Sequence, residues 1–333
     1  MPTTILIIAL VLLLFIAAIV LFRTLRMMKA LPEAEIQPGL EVNAATAAER
    51  LAHAIRCETV SMSEGSAPNA GEFSRLHRLL EDLFPGVHSH LRREPVNEFS
   101  LLYTWQGEQP ELPAVVLMAH LDVVPADPST LEQWQHKPFS GEISEGYIWG
   151  RGSMDIKSQL IGVMEAVEHL LVAGFRPQRT VYISSAHDEE VRGTGAPRIV
   201  ELLKERGVRL QAVIDEGTAI LDGVLPGFKG YTAAIAVTEK GYLSVRLTTE
   251  SGGGHSSTPS PETSIGILSR AIDRLQTRPF PYSLKVTEPM FRAFSPAAST
   301  LMKVAFANLW LFGGLVKRQL AASTETAASM HTT

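Results

Sequence analysis

The chain has 333 residues, a formal net charge of −5, 45% hydrophobic and 20% charged residues, the composition of a folded protein with a core and room for about two domains. The mildly acidic balance excludes the basic footprint of a nucleic-acid binder. The single cysteine, Cys57, excludes an intramolecular disulfide and a thiolate site of the C-x-x-C type, so any metal must be held by His, Asp and Glu.

Ile5–Phe22 is an uninterrupted apolar run of 18 residues, followed by Arg23, Arg26 and Lys29. A bilayer core about 30 Å thick is crossed by roughly 20 such residues. A cleaved signal peptide would carry Lys or Arg before an apolar core of roughly 7–15 residues, and a small-x-small site after it. This run is longer and has neither, so residues 1–30 are read as a retained single-pass membrane anchor with a basic flank. The basic cluster argues for a cytoplasmic flank. A domain-bearing chain can be exported despite such charges, and the orientation stays open.

Pro32–Gly39 has the composition of a linker. Ala44–Arg56 and Gly71–Phe84 carry apolar residues at helical spacing. Phe99–Trp105 and Ala114–Ala119 are strand-like, and Trp134–Gly150, with its Pro-Phe-Ser-Gly and Glu-Gly turn signals, reads as a surface loop. Asp155–Ala173 is a helix pattern stopping at Gly174, Thr180–Ala186 a strand, Ala196–Arg206 a helix closed by Gly207, and Leu210–Ile214 a further strand. Strands alternating with helices predict an α/β sheet with helices on both faces, over residues 31–238. After about Lys229 the texture changes: Tyr231–Val237 and Tyr242–Thr249 are β-rich, Gly252-Gly253-Gly254 is a break, and Thr263–Gln276 reads as an amphipathic helix. Residues 239–333 are therefore read as a smaller α+β domain. Leu309–Val316 is apolar but too short to span a membrane, and is expected as a packed lid helix or loop. Ala321–Thr333 has no helix stop or closing turn.

Four clusters of His and acids fall at or near predicted strand ends: His120 with Asp122, Asp155 in Gly150-Arg-Gly-Ser-Met-Asp-Ile-Lys157, His187-Asp-Glu-Glu190, and Asp215-Glu216-Gly217. Taken singly, each has a bland explanation: a capping histidine, a solvated acidic pair, a turn. Gly150-x-Gly152 lacks the third glycine of a nucleotide fingerprint and follows a loop rather than a long strand. Taken together, they supply what a two-metal hydrolase needs: imidazole and carboxylate ligands, a carboxylate to bridge two ions, and a separate base.

With Trp134, Pro138-Phe-Ser-Gly141 and Gly254-His255-Ser256-Ser257, these motifs stand in the order of the zinc carboxypeptidase/aminoacylase superfamily, which the chain resembles over roughly residues 45–333. Within it the chain is most similar to the Gly-X carboxypeptidase and N-fatty-acyl-amino-acid hydrolase branch. The resemblance implies a three-layer catalytic domain with a mixed sheet, an inserted dimerisation/lid domain, and two Zn2+ ions per site. It implies metal ligands His120, Asp155 (bridging), Glu190 and Asp215, with Glu216 competing for the last role. Glu189 would be the general base acting on a metal-bridged water, Asp122 would fix the His120 ring, and His255 would cross to a partner subunit's site in a homodimer formed through the lid domain. His136 and His187 are given no role. The implied substrates are short peptides or N-acyl amino acids, cleaved at the amide beside a free carboxylate. An N-acyl-amino-acid hydrolase/synthase is the alternative within enzymes, and a non-catalytic relative the alternative outside them. In relatives the chain returns from the inserted domain to supply the rest of the sheet and a final histidine ligand. The sequence is read as ending inside the inserted domain, since His331 does not sit in that ligand's context.

Overall fold

The computed structural model describes residues 2–27, 41–63, 65–217, 220–222, 231–233, 235–237, 241, 243–250, 252, 254–255, 257–258, 261–278, 280–285, 287–295, 298–322, 327 and 330. The chain divides into two compact units, one of Ile36–Glu216 and one of Met1–Glu35 with Gly217–Thr333. Helix α1 (Pro2–Met27), in the second of these, contains the apolar run and is long and apolar enough to cross a membrane by length and composition.

In the unit 36–216, α2 (Ala44–Ile55) starts where Asn43 accepts the Thr46 amide (3.1 Å) and buries Ala52, Ala54 and Ile55. α3 (Ala70–Leu83) buries Phe73, Leu76 and Leu80, one stripe at helical spacing. Then follow α4 (Pro85–His90), β1 (Arg92–Val96), β2 (Ser100–Trp105), β3 (Ala114–His120), a hairpin of β4 (Glu142–Ser144) and β5 (Tyr147–Trp149), α5 (Lys157–Val172), β6 (Val181–Ala186), α6 (Gly195–Glu205) and β7 (Leu210–Ile214). The main sheet has the order β1-β2-β6-β3-β7. β1, β2 and β6 pair antiparallel, and β3 lies parallel to both β6 and β7, so the sheet is mixed.

Strand residues alternate between faces, which divides the core in two. Leu101, Tyr103, Ala119 and Ile183 pack with Phe73, Leu80, Phe84, Leu160, Ile161 and Met164 of the α2–α5 layer. Leu102, Val116 and Tyr182 point the other way, onto Ile199 and Leu203 of α6. The result is three layers. A partly buried ion pair, Arg50 to Glu165 (2.8 Å), ties α2 to α5.

Four features depart from the sequence reading. α4 and β1 were not expected: α4 is a short helix, and β1 is an edge strand of Arg, Glu and Pro with little apolar content to register. Part of the expected loop 134–150 is the β4–β5 hairpin, whose three-residue strands are too short to show alternation. α5 begins at Lys157 rather than Asp155, so Asp155 sits on the approach to the helix.

The second unit holds β8 (Ile220–Asp222) paired antiparallel with β9 (Tyr231–Ala233), α7 (Ser264–Thr277), α8 (Glu288–Phe294), α9 (Thr300–Ala307) and α10 (Leu309–Leu320). Phe291 and Phe306 stack at its small apolar core, joined by Val316 and Leu320. The apolar run at 309 is thus a helix, packed along one side. Much of 223–242 lies outside the described residues, as do Pro32–Gly39, Gly253 and His331.

Candidate metal centre

Chain direction places the clusters. β3 is followed through α5 by β6 on one side of it, and β6 is followed through α6 by β7 on the other. α5 and α6 lie on opposite faces of the sheet. The order therefore reverses at β3, and the crevice beyond the carboxyl ends of such strands is where open α/β sheets hold their ligands. His120 is the last residue of β3, Glu189 and Glu190 follow β6, and Asp215 and Glu216 follow β7.

His120 is buried. Its Nδ1 lies 2.9 Å from the Asp122 carbonyl oxygen and 3.3 Å from Asp122 Oδ1. Both neighbours are acceptors, which assigns a ring proton to Nδ1 and turns Nε2 toward the crevice. Asp122 has no exposed surface. Its two oxygens accept the backbone N–H groups of Glu189 (3.1 Å) and Glu190 (3.2 Å), so one carboxylate positions the histidine and the acidic pair together. Burial works against its charge, but the bonds from His120 and Ser61 and the Glu189 amide hold it below the usual carboxylate range. Thr59 and Ser61 brace the same turn, Thr59 Oγ1 donating to the Leu121 carbonyl (2.6 Å) and the Ser61 amide to the Val123 carbonyl (3.0 Å).

Asp155 arrives on the turn that leads into α5, and its Oδ1 lies 3.1 Å from His120 Nε2. The turn needs its glycine at 150. Gly150 has φ +147, and a Cβ there would lie 2.9 Å from the Pro138 carbonyl oxygen and 2.5 Å from an Ile55 methyl. Gly150→Ala is expected to cost about 1–3 kcal/mol and to lower the melting temperature measured by calorimetry. The turn is also pinned by Lys157, a residue quoted in the sequence motif without a role. It is fully buried, and its Nζ donates to the carbonyls of Ala54 (3.0 Å) and Cys57 (2.5 Å). Burial lowers its pKa to about 8, against the pull of Cys57, Glu72 and Asp122.

In His187-Asp-Glu-Glu190 the residues divide by task. His187 is buried, bonded through Nδ1 to Ser100 Oγ (2.8 Å) and set edge-on to Phe73 and Phe99. Asp188 accepts the amides of Thr194 (2.7 Å) and Gly195 (2.9 Å) at the start of α6. Glu189 and Glu190 face the crevice. Ligand atoms of His120, Asp155 and Glu190 lie within 4.8 Å of one another, and so do those of His120, Glu189 and Glu216. The expectation for Asp215 does not carry into this geometry: it is exposed, and its Oδ1 accepts the Glu216 amide (2.9 Å). The acid that reaches His120 is Glu216, with Oε1 3.7 Å from Nε2. His255 belongs to the other unit, where it is exposed and bonded to Ser257 (2.8 Å).

Electrostatics sets what the cluster can hold. Burial opposes a charge on His120, yet the bond to Asp122 and the charges of Asp122, Glu216 and Glu189 outweigh it and lift the ring to about 9. Burial and neighbouring carboxylates hold Glu189 and Glu190 above their ordinary range and push Glu216 up to about 7. Acids driven toward protonation around one imidazole are short of positive charge. A divalent cation fits that deficit, and imidazole nitrogen with carboxylate oxygen is a donor set suited to zinc, manganese or cobalt.

Several known proteins are similar to this chain. An N-fatty-acyl-amino acid synthase/hydrolase (PM20D1) from Xenopus tropicalis is 41% identical over 290 residues, covering 86% of this chain and 56% of its own. A probable carboxypeptidase S-like protein 2 from Dictyostelium discoideum is 35% identical over 333 residues, covering 97% and 64%. The chain thus spans less than two thirds of the length of these relatives. A solved M20 family metallo-carboxypeptidase from Sulfolobus solfataricus aligns with a TM-score of 0.42 at 21% identity, over 52% of this chain and 38% of that one. The family model for peptidase family M20/M25/M40 matches residues 116–326, a stretch that begins within β3 and takes in all four clusters, and the chain belongs to that family.

Proposed function

We propose that the chain is the metal-binding part of a membrane-anchored zinc amidohydrolase, which cleaves the amide bond beside a free carboxylate in short peptides or N-acyl amino acids. The observation that supports it most is the convergence of His120 with Asp155 and Glu190 in one group and with Glu189 and Glu216 in a second. His120 and Glu216 would hold one zinc ion, Glu190 a second, and Asp155 both. When bound, zinc supplies the positive charge that acidifies water and polarises a carbonyl.

The remaining roles belong to the chain's own groups. Glu189 accepts a proton from the attacking water at its carboxylate and returns it to the leaving nitrogen. Asp122 keeps His120 Nδ1 protonated and holds the Glu189–Glu190 backbone at a fixed distance from it. The names of the two relatives favour these substrates, since a carboxypeptidase and an N-acyl-amino acid hydrolase both act on an amide next to a carboxylate. The name of the first also favours a second reading, in which the reaction runs toward synthesis as well. Residues 31–238 would form the catalytic domain and 239–333 the dimerisation/lid domain, with His255 serving a partner's site. α1 would anchor the chain.

The test is hydrolysis of an N-acyl amino acid and of a dipeptide by the purified protein. Stripping with a chelator is expected to stop amine release, and added zinc to restore it. Turnover that survives complete metal removal sinks the proposal. In the same preparation, zinc at about a hundredfold its Kd is expected to stabilise the fold by ~2.7 kcal/mol, read as a rise in melting temperature.

A further inference from the structure

A helix rises about 1.5 Å per residue, so Thr3 to Phe22 of α1 covers about 30 Å, the thickness of a bilayer's hydrocarbon core. The residues from 3 to 18 are all exposed, and cover begins only at Ile19 and Val20 and is deepest at Thr24. That cover is the corner between α9 and α10. Asn308, fully buried, donates from Nδ2 to the Val20 carbonyl (3.3 Å) and to Thr24 Oγ1 (3.2 Å). Arg23 Nε donates to the Ala307 carbonyl (3.0 Å), and Ser295 Oγ to the Met27 carbonyl (3.3 Å). These bonds fix the corner at the height where the apolar run ends.

The same corner presents an uncovered apolar face. On α10 the exposed positions are Trp310, Leu311, Gly314, Leu315, Arg318 and Gln319, one side of a helix whose other side buries Val316 and Leu320. Trp310, Leu311 and Leu315 are 53%, 47% and 65% exposed. The Trp310 indole N–H donates to Asn308 Oδ1 (3.4 Å), so the ring is tied to the very side chain that clasps Val20 and Thr24.

We propose that this face of α10 lies in the interfacial zone of the bilayer that α1 crosses. Trp310, Leu311 and Leu315 would sit among headgroups and upper acyl carbons, with Arg318 at the polar edge. The inference rests on reading α1 as a membrane anchor. Three features support lipid as the occupant: the height fixed by Asn308 and Arg23, a tryptophan with an apolar ring and a bonded N–H of the kind that concentrates at membrane boundaries, and an apolar helix face that ends in a basic residue. A second protein copy would have to displace lipid already present at that height. The consequence is a second attachment that sets the tilt and rotation of this unit on the membrane.

The test uses the full chain with Leu315→Cys, labelled with an environment-sensitive fluorophore and reconstituted into phosphatidylcholine vesicles. Native Cys57 is 1% exposed, and the unsubstituted chain gives the labelling background. The expected result is a blue-shifted emission that loses most of its intensity to lipid carrying a headgroup-level nitroxide and little to aqueous iodide, with Leu311→Cys behaving alike. An iodide-quenched probe on a chain that resists alkaline carbonate extraction overturns this inference alone. A blue-shifted probe untouched by nitroxide lipid means that protein covers the face, and overturns it too. Release of the chain by carbonate overturns the anchor reading and this inference together.

Discussion

Glu189→Gln is expected to lower turnover of an N-acyl amino acid by about 10²- to 10⁴-fold while leaving zinc bound. The amide has the shape of the carboxylate but cannot take a proton at neutral pH. The backbone of residue 189 remains fixed by its N–H bond to Asp122 Oδ1 (3.1 Å), so the turn itself should not move. Metal content by atomic emission and kcat by amine release, measured on the same preparation, separate the two roles open to this side chain. Loss of zinc along with activity would make Glu189 a ligand, which its place beside His120 and Glu216 allows. Retained activity would remove it from the chemistry altogether.

Asp122→Asn is expected to weaken zinc binding by about 10- to 100-fold and to destabilise the fold. The carboxylate accepts three N–H groups within the site, from His120, Glu189 and Glu190, and has no donor of its own. An asparagine must turn its NH2 toward at least one of those donors. Whichever way it faces, the Glu189 or the Glu190 amide loses its acceptor, at about 1–3 kcal/mol, and the acidic turn is loosened, while the main-chain carbonyl of residue 122 still accepts from His120 Nδ1 (2.9 Å). Titration calorimetry with zinc reads the first effect and thermal melting the second. A variant that binds zinc as the parent does would show that the ring is oriented without Asp122.

The site was more legible in the sequence than the fold around it. A strand that ends in His120, an acidic pair after the next strand and another after the one following are visible as breaks in apolar runs, and alternation puts each at a carboxyl end. The helices α2, α3, α5 and α6 show in the same way, because each has one face to bury. What was missed lacked such a face. β1 is a charged edge, where Arg92, Arg93 and Pro95 suit a strand that must not recruit another. The β4–β5 hairpin is too short for a period.

Two details of the site were hidden for other reasons. Asp215 and Glu216 both follow the end of β7 at Ile214, and their spacing does not say which of them approaches His120. The longer Glu216 side chain makes the approach. Lys157 stands in the sequence only as the last residue of the Gly150–Lys157 motif, with no role of its own. Its burial follows from two carbonyls, Ala54 and Cys57, that come from a segment 100 residues away or more, and no local pattern reports a partner that distant.

The central claim is that His120, Asp155, Glu190 and Glu216 hold metal. Anomalous diffraction at the zinc edge, on crystals grown with zinc, tests it directly. The account predicts a peak about 2.0–2.2 Å from His120 Nε2 and from an Asp155 carboxylate oxygen. Zinc bound elsewhere, with no peak at His120, would contradict it.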